Sequence, residues 1–232
     1  MKSAVAISLG LNISRFVIGM TVVSFATSAP ELIVSIQAAV SGFPDLAFGN
    51  VIGSNIANLA FVLAIIIMIS PINVGENFYK KDWPMMMGAT ILFYLFIVFD
   101  KELNRHEGII MVLILFIFLF YLIKFQKSDN IDDVIDDEKR LTTFNTLIYL
   151  FLGGFSLWLG SEVLVQGAVE LAMKLGVSER IISISVVSIG TSIPELSASI
   201  IAIANKEKAI SLGNLIGSNI FNILAVMGIT AS

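Results

Sequence analysis

Two glutamates lie in apolar stretches of the chain, each directly after a proline. Glu31 ends the string "ATSAPE" and Glu195 ends the string "GTSIPE". A carboxylate in the middle of a membrane-spanning helix costs at least about 2.5–3.5 kcal/mol and therefore indicates a functional site. Each proline lacks an N–H, so the carbonyl four residues earlier, at Ala26 or Gly190, loses its helical partner. At membrane depth such a carbonyl is tolerated only inside protein or beside a polar cavity.

Further oxygen-bearing side chains accompany both glutamates at helical spacing. The i, i+3, i+4 pattern predicts two equivalent faces, one with Ser24, Thr27, Ser28, Glu31 and Ser35, the other with Ser188, Thr191, Ser192, Glu195 and Ser199. Two stripes at i, i+4, i+8 follow, formed by Asn50, Ser54 and Asn58 and by Asn214, Ser218 and Asn222. Hard cations prefer oxygen ligands, and Ca²⁺ takes six to eight of them. Because no His or Cys belongs to these sets, zinc and copper are disfavoured.

A second explanation applies to the small and polar residues taken singly. Ser and Asn often join membrane helices by hydrogen bonds, and Gly allows helices to approach closely. Gly49, Gly53, Gly213 and Gly217 fit this structural role. The two glutamates do not, because packing alone gives no reason for a charge at mid-span.

The composition predicts that helices crossing a membrane hold these residues. Hydrophobic residues make up 56% of the 232 residues and charged residues 14%, whereas soluble domains carry about 25% charged residues. About 20 apolar residues span a bilayer as a helix. Seven segments fit, with 1–14 as a shorter eighth piece: 17–40, 46–70, 83–99, 107–124, 143–165, 180–204 and 208–230. Their apolar runs do not alternate, which excludes an apolar β-barrel.

The chain is internally duplicated. A shift of 164 residues aligns 18–60 with 182–224 without a gap and makes 20 of the 43 positions identical. We therefore predict two halves: 1–124, which lacks most of its first helix, and 143–232, which lacks its last two helices. The acidic segment 125–142 connects them. On this reading the sequence looks like a fragment, or a naturally short version, of a ten-span protein with five spans in each half.

The placement of basic residues predicts how the halves are oriented. With alternating spans, nine Lys and Arg residues fall on one side and four on the other. The positive-inside rule then puts the 125–142 loop in the cytoplasm of a cell-membrane protein. The equivalent segments face opposite ways, so the repeats are inverted, a layout typical of transporters that work by alternating access.

The motif pairs "ATSAPE…GNVIGSNIANL" and "GTSIPE…GNLIGSNIFNIL" resemble the two α-repeats of the cation/calcium exchanger family, typified by sodium/calcium exchangers. The resemblance implies an all-α, inverted-repeat antiporter fold with Glu31 and Glu195 as central calcium ligands. It implies that calcium and sodium sites are completed by Thr27, Ser28, Thr191 and Ser192, by carbonyls near Ser24 and Ser188, and by Ser54, Asn58, Ser218 and Asn222. Several family members have Asp where Asn58 or Asn222 stands here, so this site carries two acidic side chains rather than three.

We therefore expect a secondary antiporter that exchanges Ca²⁺ for Na⁺. H⁺/Ca²⁺ exchange, or exchange of another divalent cation, is the alternative within the same class, since Glu also binds protons. A cation channel is a third reading, although pores usually need ring symmetry from several subunits. No His or Lys accompanies the glutamates as a catalytic partner, so an enzyme is not expected. The expected partners are inorganic cations and the lipid bilayer, with no cofactor and no nucleic acid.

Overall fold

The computed structural model describes residues 1–72, 74–76, 78–100, 102–125, 142–176 and 182–231, and within these ranges the chain is helical with no strand. The helices are α1 (Lys2–Leu11), α2 (Arg15–Thr27), α3 (Ala29–Val40), α4 (Pro44–Ile69), α5 (Phe78–Phe99), α6 (Arg105–Phe125), α7 (Thr143–Lys174), α8 (182–191), α9 (Ile193–Ala204) and α10 (Lys208–Thr230). The predicted loop 125–142 lies almost entirely outside the described residues.

The predicted membrane spans are confirmed. Six helical segments are long and apolar enough to cross a bilayer, and the bent pair α2–α3 gives a seventh. The largest difference at a span's start is at α5, which begins at Phe78 rather than 83 because a π-helical turn, Phe78–Asp82, adds a charged segment to its start. Among the span ends, that of α7 differs: the helix continues to Lys174, nine residues past the predicted end at 165.

Burial separates a central group of helices from a peripheral one. In the most apolar 18-residue stretch of each span, 89% of the residues are buried in α10 and 56% in α8–α9, against 28% in α4 and α6, 22% in α5 and none in α7. Helix α4 is exposed along most of its surface but turns a buried polar face towards α10 and the helix breaks. Large apolar side chains on α6 and α7, such as Phe116, Phe120 and Phe151, are exposed, as expected for surfaces that face lipid tails. The central helices therefore hold whatever polar chemistry the protein performs.

Both predicted proline breaks are present at equivalent positions. The backbone leaves helical geometry at Ser28 (φ −82°, ψ 4°) and at Ser192 (φ −85°, ψ 0°), and Pro30 and Pro194 stand in the first turn of the following helix. Proline is favoured there because the missing N–H would have no helical partner anyway. At the first break α2 and α3 bend by 44°.

The duplicated sequence also repeats in its turns. Asn12 and Gly176, which are 164 residues apart, both have positive φ angles of 54° and 77°. Gly42 and Lys206, also 164 apart, have φ angles of 81° and 63°. Since α4 to α7 are four spans that lie between α2–α3 and α8–α9, the two broken segments cross the membrane in opposite directions. The repeats are therefore inverted, as predicted.

Helix α10 packs directly on the backbone of α2. A Cβ on Gly213 would overlap backbone atoms of Phe16 and Met20, and one on Gly19 would overlap Ile210. Such contacts need glycine because any side chain would push the helices apart. This packing fixes the first repeat against the second at the centre of the molecule.

Candidate functional site

The structure brings all twelve predicted site residues into the interior, at 4% exposure or less. They are Ser24, Thr27, Ser28, Glu31, Ser54, Asn58, Ser188, Thr191, Ser192, Glu195, Ser218 and Asn222. The two helix breaks supply eight of them, and α4 and α10 supply the other four. The 28–31 and 192–195 turns thus meet at the interface of the two repeats.

The two carboxylates are fully buried, and the hydroxyl of Ser28, three residues before Glu31, reaches Glu195 across the interface of the repeats. Neither carboxylate oxygen of Glu31 has a hydrogen-bond partner. Oε1 of Glu195 accepts a hydrogen bond from the hydroxyl of Ser28 at 3.3 Å, while its Oε2 has none. Burying a charge in this way is costly unless an opposite charge compensates it. The pair therefore forms an anionic centre suited to a cation.

Reciprocal hydrogen bonds join the repeats around this centre. The hydroxyl of Thr27 donates to Oδ1 of Asn214 at 3.1 Å, and the hydroxyl of Thr191 donates to Oδ1 of Asn50 at 3.3 Å. Thr27 also shares a hydrogen bond with Ser218 at 3.3 Å. The equivalent bond joins Thr191 to Ser54 at 3.1 Å. Each contact is mirrored with the repeats exchanged, which is the mark of a two-fold relation.

Asn50 and Asn214 fasten the segments that carry the glutamates. The Nδ2 group of Asn50 donates to the backbone carbonyl of Glu31 at 3.4 Å and to the hydroxyl of Ser35 at 3.1 Å. Asn214 makes the same two bonds to Glu195 and Ser199 at the same distances. These asparagines, which the sequence placed on the stripes but not among the ligands, therefore hold the site in position.

Backbone carbonyls at the breaks also enter the site. The carbonyl of Ser188 accepts hydrogen bonds from the hydroxyls of Ser54, Thr191 and Ser192 at 3.1–3.3 Å. The carbonyl of Ser24 accepts one from Thr27 at 3.3 Å. Hydroxyls that bond to these carbonyls keep their own oxygen lone pairs for another group. The breaks therefore add neutral oxygen atoms beside the two charges.

A group of four asparagines completes the chamber. Asn58 has no partner for either atom of its amide, and Asn222 has none for Oδ1. Asn55 and Asn219, one residue after Ser54 and Ser218, are also part-buried or buried here, and sequence reasoning did not place them at the site. The signal that could have found them is their identity in both repeats, within "GSN".

No basic side chain is seen to pair with the glutamates among the described residues. Ion pairs there join Arg15 to Glu207, Lys80 to Glu76 and Lys174 to Glu170, and none of these three involves a site residue. Nor does any third acidic side chain, His or Cys in the described ranges join the two carboxylates. The chamber thus presents net negative charge and unpartnered oxygens, which is the chemistry of a hard-cation site.

Sequence comparison places the chain among membrane exchangers. A family described as "Sodium/calcium exchanger protein" matches residues 1–124 and 145–232. CaxA of Alkalimonas amylolytica is 40% identical over 232 aligned residues, which cover 97% of this chain and 72% of that protein. The sodium/calcium exchanger MaX1 of Methanosarcina acetivorans is 29% identical over 271 aligned residues, which cover 99% of this chain and 76% of that protein.

Solved structures of the sodium-calcium exchanger NCX_Mj share the fold. One, soaked with 100 mM Na⁺ and 10 mM Sr²⁺, matches at a TM-score of 0.83 and 29% identity, over 99% of this chain and 74% of that chain. Another, soaked with 2.5 mM Na⁺ and 0.1 mM Ca²⁺, matches at a TM-score of 0.82 and 30% identity, over the same shares of the two chains. The predicted all-α, inverted-repeat fold is confirmed.

Proposed function

The chain belongs to the sodium/calcium exchanger family, and we propose that it is a secondary active antiporter that exchanges Ca²⁺ for Na⁺ across a membrane. One observation carries the proposal. Two fully buried carboxylates, one from each inverted repeat, meet without an ion pair to a basic side chain in the described ranges. Such a pair needs a bound cation, and Ca²⁺ cancels both charges at once.

We assign the cargo ion to the oxygens that surround this pair. Glu31 and Glu195 are the central ligands of Ca²⁺. Neutral oxygens complete its shell of six to eight, drawn from the hydroxyls of Thr27, Ser28, Ser54, Thr191, Ser192 and Ser218, the carbonyls near Ser24 and Ser188, and the amides of Asn58 and Asn222. Three of the four carboxylate oxygens accept no hydrogen bond from the described residues, which leaves them available for the ion.

Sodium is the coupling ion that the neutral ligands favour. A proton needs only one carboxylate oxygen, whereas Na⁺, like Ca²⁺, is held by several oxygens at once. The hydroxyls of Thr27 and Thr191 and the carbonyls of Ser24 and Ser188, which we assign to Ca²⁺, are oxygens of the kind that Na⁺ also uses, so one set of ligands can serve both cations in turn. H⁺/Ca²⁺ exchange is therefore the alternative that the experiment below must separate.

Alternating access follows from the inverted repeats. Helix α7 is peripheral, yet it packs on α1 and crosses both broken segments, with Val165 against Gly190 and Gly154 near Ala26. We propose that α1 and α7 slide together over the central helices and open the chamber first to one side and then to the other. The central helices, which are held by the α2–α10 glycine contacts, stay in place.

The proposed orientation puts the 125–142 loop in the cytoplasm of a cell-membrane protein. Residues 126–141 of this loop lie outside the described ranges, so the support for the orientation comes from basic residues at the helix ends beside the loop. Lys80 and Lys81 near the start of α5 and Lys124 at the end of α6 lie at that side. The positive-inside rule assigns such a basic end to the cytoplasm.

Transport in proteoliposomes tests the proposal. Purified protein is reconstituted with Ca²⁺ inside, and ⁴⁵Ca²⁺ exchange is followed with Na⁺ and pH gradients imposed separately while the membrane potential is clamped. We expect a Na⁺ gradient to drive Ca²⁺ movement and Glu31→Gln to abolish it. Glu76→Gln is the matched control, because Glu76 is exposed and paired only with Lys80.

Each other outcome of this experiment contradicts a defined part of the proposal. Movement driven by the pH gradient alone would replace Na⁺ by H⁺ as the coupling ion. Rapid loss of Ca²⁺ into a buffer without permeant cations, blocked by Glu31→Gln, would indicate a channel. An unchanged rate in Glu31→Gln would remove the glutamate pair from the mechanism.

A further inference from the structure

The four asparagines around the chamber do not obey the two-fold relation of the rest of the site. Nδ2 of Asn222 donates to Oδ1 of Asn55 at 3.1 Å, and Nδ2 of Asn55 donates to the backbone carbonyl of Asn219 at 3.2 Å. With the repeats exchanged, the equivalent chain would run from Asn58 to the side chain of Asn219 and on to the carbonyl of Asn55. Neither amide atom of either side chain has a partner. One hydrogen-bonded chain therefore crosses between the repeats, and its two-fold equivalent is not formed.

This chain has a direction that a backbone carbonyl imposes. The carbonyl of Asn219 can only accept, so it must face the NH₂ group of Asn55. The amide oxygen of Asn55 then points the other way and must receive a donor, which only the NH₂ group of Asn222 provides. The oxygen of Asn222 is left facing away from Asn55, buried and without a partner.

The direction matters for a cation because an amide has two unlike ends. Its oxygen is a good ligand for Na⁺ or Ca²⁺, whereas its NH₂ group carries partial positive charge and repels the ion. Without a fixed partner, Asn222 could present either end to the chamber. Asn58, whose two amide atoms are both unpartnered, is in that position.

We infer that Asn55 is a positioning residue for ion binding, which turns the side-chain oxygen of Asn222 towards the cation. The inference rests on the proposed function and deepens it, because it assigns a role to a residue that does not touch the ion. It also separates the two amide ligands: Asn222 is oriented before the ion arrives, while Asn58 must be oriented by the ion itself.

A double-mutant comparison of Ca²⁺ affinity tests the inference. Asn55→Leu keeps the number of side-chain heavy atoms and removes both hydrogen bonds. In detergent, equilibrium dialysis with ⁴⁵Ca²⁺ should show about tenfold weaker binding than in the unmodified chain, the size of effect that one net hydrogen bond gives. Asn219→Leu is the matched control, because its side-chain amide has no partner and its carbonyl remains.

The second background is Asn222→Asp, whose carboxylate has an oxygen at both ends and needs no orientation. There Asn55→Leu should change the affinity less than about twofold, whereas Asn219→Leu should have the same effect in both backgrounds. A purely structural role for Asn55 would give the same loss in both backgrounds and would overturn the inference. So would unchanged affinity in Asn55→Leu on its own.

Two checks keep the result interpretable. Binding is measured per mole of monodisperse protein, and Asn55→Ala replaces Asn55→Leu if the leucine variant does not fold, with the same expected loss and rescue. If the unmodified chain binds no Ca²⁺, the proposed function fails and the inference fails with it. If it binds Ca²⁺ and the rescue by Asn222→Asp is absent, the inference alone fails.

Discussion

Glu31 gives the sharpest test of the proposed site. Substituting a structural residue should lower the stability of the ion-free protein, whereas substituting a buried anionic ligand should keep or raise it. Both of its carboxylate oxygens are buried and without a hydrogen-bond partner. Glu31→Gln keeps the shape and removes the charge. If Glu31 only stabilised the fold, the variant would lose stability. If it binds a cation, the ion-free variant should be at least as stable as the unmodified protein, because a buried charge without a compensating partner is gone.

The expected loss of affinity follows from the burial of both carboxylates. Removing one partner of a buried charge pair typically costs about 3–5 kcal/mol. At 1.4 kcal/mol for each factor of ten, Ca²⁺ should bind Glu31→Gln about one hundred to a few thousand times more weakly. Glu195→Gln should lose affinity in the same range, since Glu195 is equally buried and the donor that reaches its Oε1, the hydroxyl of Ser28, is neutral.

Thermal unfolding with and without Ca²⁺ measures the stability of the ion-free protein and the stabilisation by Ca²⁺ in one assay. At a concentration of 100 times its Kd, Ca²⁺ should stabilise the unmodified protein by about 2.7 kcal/mol. That corresponds to a rise in Tm of roughly 5–11 °C at about 2–4 °C per kcal/mol. A hundredfold weaker site gains only about 0.4 kcal/mol at the same concentration, so the shift in Glu31→Gln should fall below about 2 °C.

One result of this assay would refute the role of Glu31 as a ligand. A Glu31→Gln protein that unfolds several degrees lower without Ca²⁺, yet keeps the full calcium-dependent shift, would show that Glu31 is a structural residue. Glu76→Gln provides the reference for a surface charge, since its side chain is 84% exposed, and it should change neither Tm nor the shift.

Three further predictions concern the transport cycle and the frame of the site. Preloaded vesicles should hold Ca²⁺ until Na⁺, H⁺ or Ca²⁺ is present outside, because an empty anionic site adds several kcal/mol to the barrier; free efflux measured by ⁴⁵Ca²⁺ would refute this. Asn214→Ala should lower the free energy of unfolding by about 2–4 kcal/mol in a chemical denaturation series, since three buried hydrogen bonds are lost. Gly213→Ala should reduce the yield of monodisperse protein in size-exclusion chromatography, whereas Gly88→Ala, with nothing within 4 Å, should not.

The sequence predicted the spans and the site residues because both depend on local patterns. Apolar length alone located seven spans, and the short motifs that resemble those of the exchanger family indicated twelve candidate residues, all of which the fold buries. Pro30 and Pro194 located the two breaks for a similarly local reason, the missing N–H. Each of these features can be seen within about twenty residues of the chain.

The remaining features depend on contacts between distant segments. Four π-helical stretches, 19–23, 57–62, 182–187 and 222–227, occur in equivalent pairs beside the site, and no residue pattern signals them. Such stretches often accompany functional sites in helices. The roles of Asn50 and Asn214 were also hidden, because an asparagine on a polar stripe can be a ligand or a clamp, and only its partners in the other helices decide which.

The differences between the two halves of the site bear on the transport cycle. Ser28 and Ser192 are equivalent by sequence, yet Ser28 donates to the carboxylate of Glu195 across the interface while Ser192 donates to the carbonyl of Ser188 in its own repeat. An alternating transporter needs two states in which inverted repeats exchange their arrangements. Both repeats carry the same serine, carbonyl and glutamate. The residues for the opposite arrangement, with Ser192 donating to Glu31 and Ser28 to the carbonyl of Ser24, are therefore present in the chain. The near-identity of the two motifs thus keeps the two states close in free energy, which cycling requires.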